Sequence, residues 1–451
     1  MNRKDERSSR LTDKEGLDTG SCSSSDAEWD TDVEDNNDLV SDNLSIEQIY
    51  LRICEELGVP PITKVTKQMK TDVIDLKHYG ILDKGAKALA MAMGKNVTVA
   101  TLNLHDNGIN KAGAIEIAKM LETNCFIVKL DLSSNKIGQE GVAALAKMLR
   151  RNVTLRDLNL SNNKLLDEDI ALLCDVLSTH RYLRCLRLSG NELGDKASTM
   201  IGLALRSNQV LECLDVSWNR ILVKGAVSLV KACKEMQSLK ELNLSWNGLS
   251  DKGAKVIREI LEKPDCSLKV LDITSISIGT TGAEHIAKGL RKNTSLKTLR
   301  VGKNPFMSTG AFSIFKGLLK NPQNSLEELF LENVVFDKEC EDALDELLKT
   351  KPNFLCKWDV IIKGGDTRAL DETETTPLEK FIQFMRTRGL RMVDMYRSLA
   401  RGDVLTEDKF VRGLKSFNVP MTDKELKQLF NILDLNGDNE MSFREFSFKG
   451  I

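Results

Sequence analysis

The chain has 451 residues, and its 64 Lys and Arg residues against 66 Asp and Glu residues give a formal net charge of -2. Hydrophobic residues make up 41% of the chain but aromatic residues only 5%. A chain of this length exceeds one ordinary core, and its many aliphatic and few aromatic residues favour an array of small repeated units. The charge balance excludes the dense basic surface that nucleic-acid binding favours, so no nucleic-acid partner is expected.

The N-terminal segment is acidic, Ser-rich and nearly free of large apolar side chains. Residues 26–42 contain eight acidic and no basic residues. Too little apolar surface is present to offset the entropy of ordering, so residues 1–43 are predicted to be a disordered acidic tail. The start of the chain shows no secretory signal, and no apolar run is long enough to cross a bilayer.

The ten cysteines are scattered without CxxC pairs, and several lie inside the repeat pattern described below, such as Cys185 and Cys213. This usage favours reduced, packed thiols over a disulfide framework. We therefore expect a cytoplasmic protein with no membrane partner.

A helix is predicted to begin at Ser45, because Gln48 three residues later completes a capping box. Apolar residues from Ile46 to Leu57 fall on one face at helical spacing, and the helix is expected to end before Gly58. One apolar face in front of a repeat array is what a cap requires, so residues 44–71 are predicted to be an N-terminal helical cap.

The pattern L-x-L-x-x-N-x-I/L-x-x-x-G recurs through residues 72–356. Its asparagine position falls at 79, 107, 135, 163, 191, 219, 247, 276, 304 and 334, with degenerate copies at Tyr79, Ile276 and Val334. Each unit predicts a short strand, a turn at the Asn and then a helix. Because strands stack about 4.8 Å apart and helices roughly 10 Å apart, the stack must curve with its strands inside. The predicted fold is an α/β horseshoe with a concave parallel sheet of about ten strands.

The 28-residue period with a full helix in each unit resembles the ribonuclease-inhibitor-like leucine-rich repeats. This resemblance covers roughly residues 72–355. It implies the solenoid fold but not one activity, because the scaffold serves inhibitors, receptors and GTPase regulators.

Residues 357–376 are predicted to be a linker, and residues 377–451 an all-α EF-hand pair. The twelve residues from Asp434 to Glu445 match an EF-hand loop, which supplies about six to eight oxygen ligands to calcium. The loop is expected to hold one Ca²⁺ ion, and its predicted ligands are Asp434, Asn436, Asp438, Glu440 through its carbonyl, Ser442 and Glu445.

One position of this loop departs from the EF-hand pattern, because Asn439 stands where Gly is usual. The turn there needs a positive φ, which Asn adopts at the least cost among side chains, so weakened calcium binding is expected. A first loop, Ser398–Lys409, aligns with the same EF-hand pattern 36 residues before Asp434–Glu445. It lacks calcium ligands, because Ser398, Ala400 and Lys409 stand at three of the ligand positions. This first hand is predicted to be structural and empty.

Two groups of residues are candidates for a partner surface. Trp218 and Trp246 lie 28 residues apart at one repeat position, so they should stack side by side on the loop rim as a binding hot spot. The alternative is that they only pack on each other. Polar residues at the mid-strand position of the L-x-L segment, including Arg187, Asp215 and Arg300, should line the concave face. A solvated sheet without a partner is the alternative there.

The four histidines, His78, His105, His180 and His285, show no catalytic or zinc-binding spacing. His78 and His105 are predicted to be neighbours near the first strands. All four are interpreted as structural or surface groups, and no enzymatic activity is expected.

The acidic tail, the repeats and the C-terminal EF-hands together resemble the vertebrate leucine-rich-repeat-containing protein 74 group, which brings no established activity. The leading hypothesis is a monomeric, calcium-binding scaffold that holds an unknown protein partner on the concave face or loop rim. The alternative is a GTPase-activating regulator, because Ran GTPase activators share the scaffold, although they carry an acidic tail at the C-terminus. Ribonuclease inhibition is a weaker rival. Residues 26–42 carry -8 of the net -2 and residues 1–25 cancel, so the rest of the chain is about +6, which does not steer basic ribonucleases.

Overall fold

The computed structural model describes residues 44–334, 336–358, 377, 380, 381, 384, 392–400, 405–417, 419–434 and 439–441. The predicted acidic tail and nearly all of the predicted linker lie outside the described residues. No helix within the described part of the chain is long and apolar enough to span a bilayer.

The first part of the structure is a solenoid in which strands and helices alternate. Two helices, α1 (Ile46–Glu56) and α2 (Thr63–Gln68), precede it. Its strands are β1 Val73–Asp75, β2 Thr101–Asn103, β3 Lys129–Asp131, β4 Asp157–Asn159, β5 Cys185–Arg187, β6 Cys213–Asp215, β7 Glu241–Asn243, β8 Val270–Asp272, β9 Thr298–Arg300, β10 Glu328–Phe330 and β11 Leu355–Lys357. Its remaining helices are α3 Leu82–Met93, α4 Lys111–Thr123, α5 Gly138–Leu149, α6 Asp167–Thr179, α7 Asp195–Ser207, α8 Val223–Glu235, α9 Ser250–Leu261, α10 Thr280–Leu290, α11 Ser308–Leu319 and α12 Lys338–Thr350.

Helix α1 begins as predicted, with a reciprocal capping box between Ser45 and Gln48. Tyr50, Ile53 and Cys54 are buried in the solenoid core. The Tyr50 hydroxyl accepts a hydrogen bond from the Ile62 amide at 3.2 Å, which ties α1 to the start of α2. The two helices thereby cover the apolar end of the first repeat.

The eleven solenoid strands form one parallel sheet in sequential order. About ten strands were predicted, and the sheet has one more, because β11 follows the last repeat and pairs with β10. Lys357, which the sequence placed in the linker, lies in this strand. The ring of Trp358 also stacks on Phe336 with ring centroids 5.2 Å apart, so the solenoid continues two residues beyond its predicted end at 356.

The core lies between the sheet and the helices. The middle residue of each strand is buried from β1 to β10, because alternate residues of a strand point to opposite faces. Small residues let the helices approach closely: a Cβ at Gly317 would lie 2.6 Å from the Ala287 carbonyl oxygen of the preceding helix. The first and third residues of each strand therefore face outward on the open face of the sheet.

A ladder of buried asparagines holds the loops that follow the strands. The Asn135 amide donates to the carbonyls of Leu132 and Ser133 in its own loop and to Leu104 in the preceding repeat, at 2.9–3.1 Å. Its oxygen accepts the Asn107 and Ile109 amides at 3.1 and 3.0 Å. The same bridge recurs at other repeats, which confirms that the motif asparagine satisfies backbone groups outside the sheet.

A second asparagine ladder lies at the opposite rim, where each helix ends. The Asn152 amide donates to the Leu121 carbonyl at 2.8 Å, and its oxygen accepts the Leu155 amide at 2.8 Å. His180 takes the equivalent place, and its Nδ1 accepts the Leu183 amide at 3.1 Å. This histidine is structural, as predicted. The other members of the ladder are Asn96, Asn124, Asn208, Asn293 and Asn321.

The described C-terminal residues form a second, separate apolar core. Its helices are α13 Met392–Ala400, α14 Glu407–Ser416 and α15 Asp423–Leu433, and its strands are β12 Leu405–Thr406 and β13 Glu440–Met441. Phe381, Phe410 and Phe430 are fully buried in this core. The Lys380 ammonium lies 2.7 Å from the Glu425 carboxylate. That contact, with the Thr422 cap, lowers the pKa of Glu425 to about 2.

Candidate functional site

The loop rim beside the open face carries a stacked tryptophan pair. Trp218 and Trp246 lie with ring centroids 4.0 Å apart and planes inclined by 15°, as the repeat spacing predicts. Trp218 is 55% exposed and Trp246 36% exposed. The Lys303 ammonium lies 5.8 Å from the centre of the Trp246 ring, within cation–π range. The pair therefore presents a large, partly exposed aromatic surface with one cation at its edge.

The backbone of this rim is left-handed, with φ of 52° at Trp218 and 56° at Trp246. A side chain with a β-carbon is disfavoured there by roughly 1–2 kcal/mol. The other repeats have a polar residue or glycine at the same left-handed position: His78, Asp106, Ser134, Asn162, Gly190, Ser275, Lys303 and Asn333. Folding alone therefore gives no reason to place two adjacent tryptophans at this position.

The open face of the sheet has a mainly structural pattern of Asp and Asn. Asp215 Oδ1 accepts the amide of Ser217 at 2.9 Å and its hydroxyl at 2.7 Å. The same hydrogen bond, from the backbone amide two residues later to the side-chain oxygen, forms at Asn103, Asp131, Asn159, Asn243 and Asp272. These residues end the strand with an Asx turn. Asp215, predicted as a partner contact, thus has a local structural role.

Arg187, Arg300 and Phe330 break this pattern, because none of them can accept the Asx-turn bond. The Arg187 guanidinium donates to Asp157 Oδ1 at 2.5 Å. Arg300 lies over the Phe330 ring at 4.8 Å from its centre, and the Lys357 ammonium lies 5.4 Å from the same centre. The Asx turns of the repeat therefore do not require these three side chains.

The histidines near the first strands are neighbours, as predicted: the rings of His78 and His105 meet edge to face at 5.0 Å. His78 Nδ1 lies 2.7 Å from the Asp106 carboxylate, and His105 Nδ1 lies 2.7 Å from Ser133 Oγ. The spacing of these residues along the chain does not indicate that a Ser, a His and an Asp meet here. Ser133 is buried and its hydroxyl donates to Asp131, as Ser217 does to Asp215. The order is therefore Asp–Ser–His, which does not activate the hydroxyl as a nucleophile.

The calcium loop predicted from the sequence is partly described. Asp434 follows the end of α15, and the Asn439 amide donates to Asp434 Oδ2 at 3.0 Å. Asn439 has a φ of 61°, the left-handed turn expected at this position. Asn436, Asp438, Ser442 and Glu445 lie outside the described residues. Within the residues that the structure describes, no three His, Cys, Asp or Glu side chains form a metal site.

The segment after this turn pairs with the region of the predicted empty loop. Leu405 and Met441 are register partners in an antiparallel pair of two-residue strands, and both side chains are buried. The Tyr396 hydroxyl donates to the Met441 carbonyl at 3.1 Å. The Phe410 ring meets the Phe430 ring edge to face at 5.4 Å. The two halves of this unit are therefore joined both at their loops and at their helices.

Comparison with known proteins supports the repeat assignment. A family model described as "Leucine Rich repeat" matches residues 95–118, 123–146, 151–174, 179–197, 207–230 and 235–257. A solved structure of leiomodin-1 actin-binding site 2 is similar at 19% identity and a TM-score of 0.27, covering 30% of this chain and 78% of that one. The tropomodulin C-terminal domain of Caenorhabditis elegans is similar at 17% identity and a TM-score of 0.27, covering 30% and 81%.

The matched repeats coincide with strands and helices of the parallel solenoid. The architecture is thus that of a leucine-rich-repeat solenoid. The solenoid therefore contains six leucine-rich repeats that the family model matches, and repeats of this kind typically bind protein partners.

Proposed function

We propose that this protein is a non-enzymatic scaffold that binds a protein partner on its loop rim and the adjoining open face. The observation that carries the proposal is the Trp218–Trp246 stack at two left-handed positions. The other repeats have a polar residue or glycine at this position, whereas these two adjacent repeats have a side chain that is enriched in interface hot spots.

The stack is suited to a partner because it is already ordered. Each ring limits the rotamers of the other, so less side-chain entropy is lost when a partner covers them. Lys303 at the edge of the stack, with Arg300 and Phe330 on the sheet, extends the surface toward later repeats. A partner that combines apolar or aromatic side chains with carboxylates fits this surface.

The partner proposal is tested by capture at the tryptophans. Photo-crosslinking from position 218 in the full chain should recover a partner, and the same partner should bind the purified chain directly. Trp218→Asn with Trp246→Asn should weaken that binding by at least about tenfold, since hot-spot residues contribute 2 kcal/mol or more. Asn suits the left-handed backbone, so the fold should survive.

Phe126→Asn is the matched control, because Phe126 is an exposed aromatic at 46% on the opposite rim. It should leave binding unchanged. Equal binding by the double tryptophan variant and the control would contradict the proposal.

The proposal includes calcium binding at the C-terminal unit. The turn at Asn439, its bond to Asp434 and the pairing of Leu405 with Met441 fit an EF-hand pair. Asp434, Asn436, Asp438, Glu440, Ser442 and Glu445 would hold one Ca²⁺ ion, since all are oxygen donors. The ion would stabilise the end of α15 by drawing the loop carboxylates together.

Calorimetric titration of the full chain with calcium chloride tests this part. One ion should bind at roughly micromolar to 100 micromolar affinity. Glu445→Gln should abolish the heat, while Glu407→Gln, which removes a carboxylate outside the predicted ligand set, should not. No heat in the native chain would refute calcium binding and leave the partner proposal standing.

The alternative of GTPase activation predicts a catalytic effect. Purified chain added at substoichiometric amounts to small GTPases would then accelerate GTP hydrolysis, and the tryptophan variants would lose that acceleration. Binding of a partner without any acceleration favours the scaffold.

A further inference from the structure

Two cysteines meet on the open face of the sheet. Cys185 in β5 and Cys213 in β6 are register partners of neighbouring parallel strands. Such strands lie about 4.8 Å apart, and a disulfide needs a Cα separation of about 4.4–6.8 Å. Each cysteine is the first residue of its strand, so both thiols share the open face with the third residues, Arg187 and Asp215.

The surroundings distinguish the two thiols. The neighbouring Cys213 thiol lowers the pKa of Cys185, and the neighbouring Cys185 raises that of Cys213. Arg187 also favours the Cys185 thiolate, while burial, Asp157 and Glu241 oppose it. Cys185 is 9% exposed and Cys213 is half-buried. The pair is thus open to a small molecule but shielded from a large one.

We propose that Cys185 and Cys213 are a redox modification site that forms a reversible disulfide on reaction with a peroxide. The Cys185 thiolate attacks one peroxide oxygen, so that an S–O bond forms and the O–O bond breaks. The departing oxygen takes a proton and leaves as water or an alcohol. The Cys213 sulfur then attacks the Cys185 sulfenic acid, the S–S bond forms, and the hydroxyl leaves as water with the Cys213 proton.

The geometry favours a bond that is easily reversed. Disulfides prefer a Cβ separation of about 3.8 Å, whereas register partners in a parallel sheet are held about 4.8 Å apart. The side chains must lean together to bond, and strained disulfides are more readily reduced. Cellular thiols of low molecular weight can therefore restore the dithiol. The site is independent of the proposed partner binding.

The other described cysteines are less suited to this chemistry. Cys174 and Cys233 are buried in the solenoid core, where burial raises the pKa of each thiol to about 12. Cys125 is exposed and serves as a reactive comparison. A general sensitivity to peroxide would oxidise Cys125 first, whereas the proposed site predicts selective linkage of Cys185 to Cys213.

Peptide mapping of the full chain tests the proposal. The folded protein is treated with equimolar hydrogen peroxide in the presence of EDTA, remaining thiols are alkylated, and the chain is digested with trypsin. Cleavage after Arg184 and Arg187 leaves Cys185 on a tripeptide, while Cys213 lies on peptide 207–220. The expected product is peptide 207–220 carrying the disulfide-linked tripeptide, and it should disappear on reduction.

Variants separate the steps of the reaction. Cys213→Ser should stop the reaction at the Cys185 sulfenic acid, which dimedone traps, and Cys125→Ser should leave the linked peptide unchanged. Alkylation of both Cys185 and Cys213 after peroxide treatment, with Cys125 oxidised, would overturn the proposal. Linkage of either thiol to Cys125 would also overturn it. The mapping of the native chain decides the question even if a variant does not fold.

Discussion

The asparagine ladder makes a quantitative prediction at Asn163, which is buried with only 3% of its surface exposed. Its amide donates to the carbonyls of Leu132, Leu160 and Ser161 at 3.0–3.1 Å. Its oxygen accepts the Ile137 amide at 3.4 Å. Asn163→Ala removes all four bonds.

The size of the destabilisation depends on which hydrogen bonds the partners of Asn163 keep in the variant. The Leu132 carbonyl keeps the Asn135 amide, the Leu160 carbonyl keeps the Asn191 amide, and the Ser161 carbonyl keeps the Ser134 backbone amide. These three losses therefore cost about 0.5–1 kcal/mol each, because no carbonyl is left without a donor. The Ile137 amide loses its acceptor and adds about 1–2 kcal/mol. Asn163→Ala should lower the free energy of unfolding by about 3 kcal/mol.

Urea unfolding followed by far-ultraviolet circular dichroism measures this loss. Asn162→Gly is the matched control, because Asn162 is exposed on the same loop with a φ of 56°. It should change stability by less than about 0.5 kcal/mol. Asn163→Asp should cost more than Asn163→Ala, since it would bury a charged carboxylate against three carbonyl oxygens with no donor between them. A loss at Asn163→Ala no larger than that of the control would refute the ladder argument.

Three further predictions concern helix capping and the C-terminal unit. Asp337 caps α12 by accepting the Cys340 amide at 3.0 Å, so Asp337→Ala should cost about 1 kcal/mol. A hydrogen bond from Ser308 lowers the pKa of Asp337. The stability lost in Asp337→Ala should therefore be complete above the ordinary pKa of Asp. It should vanish as the pH falls through the lowered pKa of Asp337. Leu405→Ala should destabilise the C-terminal unit by about 2–4 kcal/mol and weaken calcium binding. Asn439→Gly should tighten calcium binding by up to about fivefold, whereas Asn439→Val should weaken it.

Each of these has a clear opposing outcome. A pH-independent effect of Asp337→Ala in urea unfolding would show that the carboxylate does not cap the helix. Calcium calorimetry unaffected by Leu405→Ala would show that the strand pair and the loop are uncoupled. Equal affinities of the Gly and Val variants at position 439 would show that the left-handed turn does not limit binding.

The repeat pattern predicted the parts of the fold that depend on periodicity. The positions of strands and motif asparagines follow from a pattern that repeats every 28 residues, because equivalent residues of neighbouring repeats must meet. The stack of Trp218 on Trp246 follows from the same rule. The eleventh strand was missed because Leu355–Lys357 follows no complete motif and is recognised only by its pairing with β10.

Contacts within a loop were harder to predict than contacts between repeats. Asp215 was interpreted as a partner contact because it faces outward, but its bond to the Ser217 amide depends on backbone direction after the strand. The pairing of Cys185 with Cys213 had a sequence signal, since the two lie 28 residues apart. The pairing was not predicted, because the ten cysteines contain no CxxC pair and were treated as scattered.

A repeat protein offers its own reference for detecting function. Each position has equivalents in neighbouring repeats, and the common residue at that position shows what the backbone alone requires. Trp218 and Trp246 replace residues suited to a left-handed turn, Arg187 replaces an Asx-turn residue, and Cys185 with Cys213 form a thiol pair. All five lie between β5 and the loop after β7. Two further departures, Arg300 and Phe330, lie on β9 and β10. The departures therefore run from the fifth to the tenth strand, and this stretch of the open face and its rim is where we expect the partner surface.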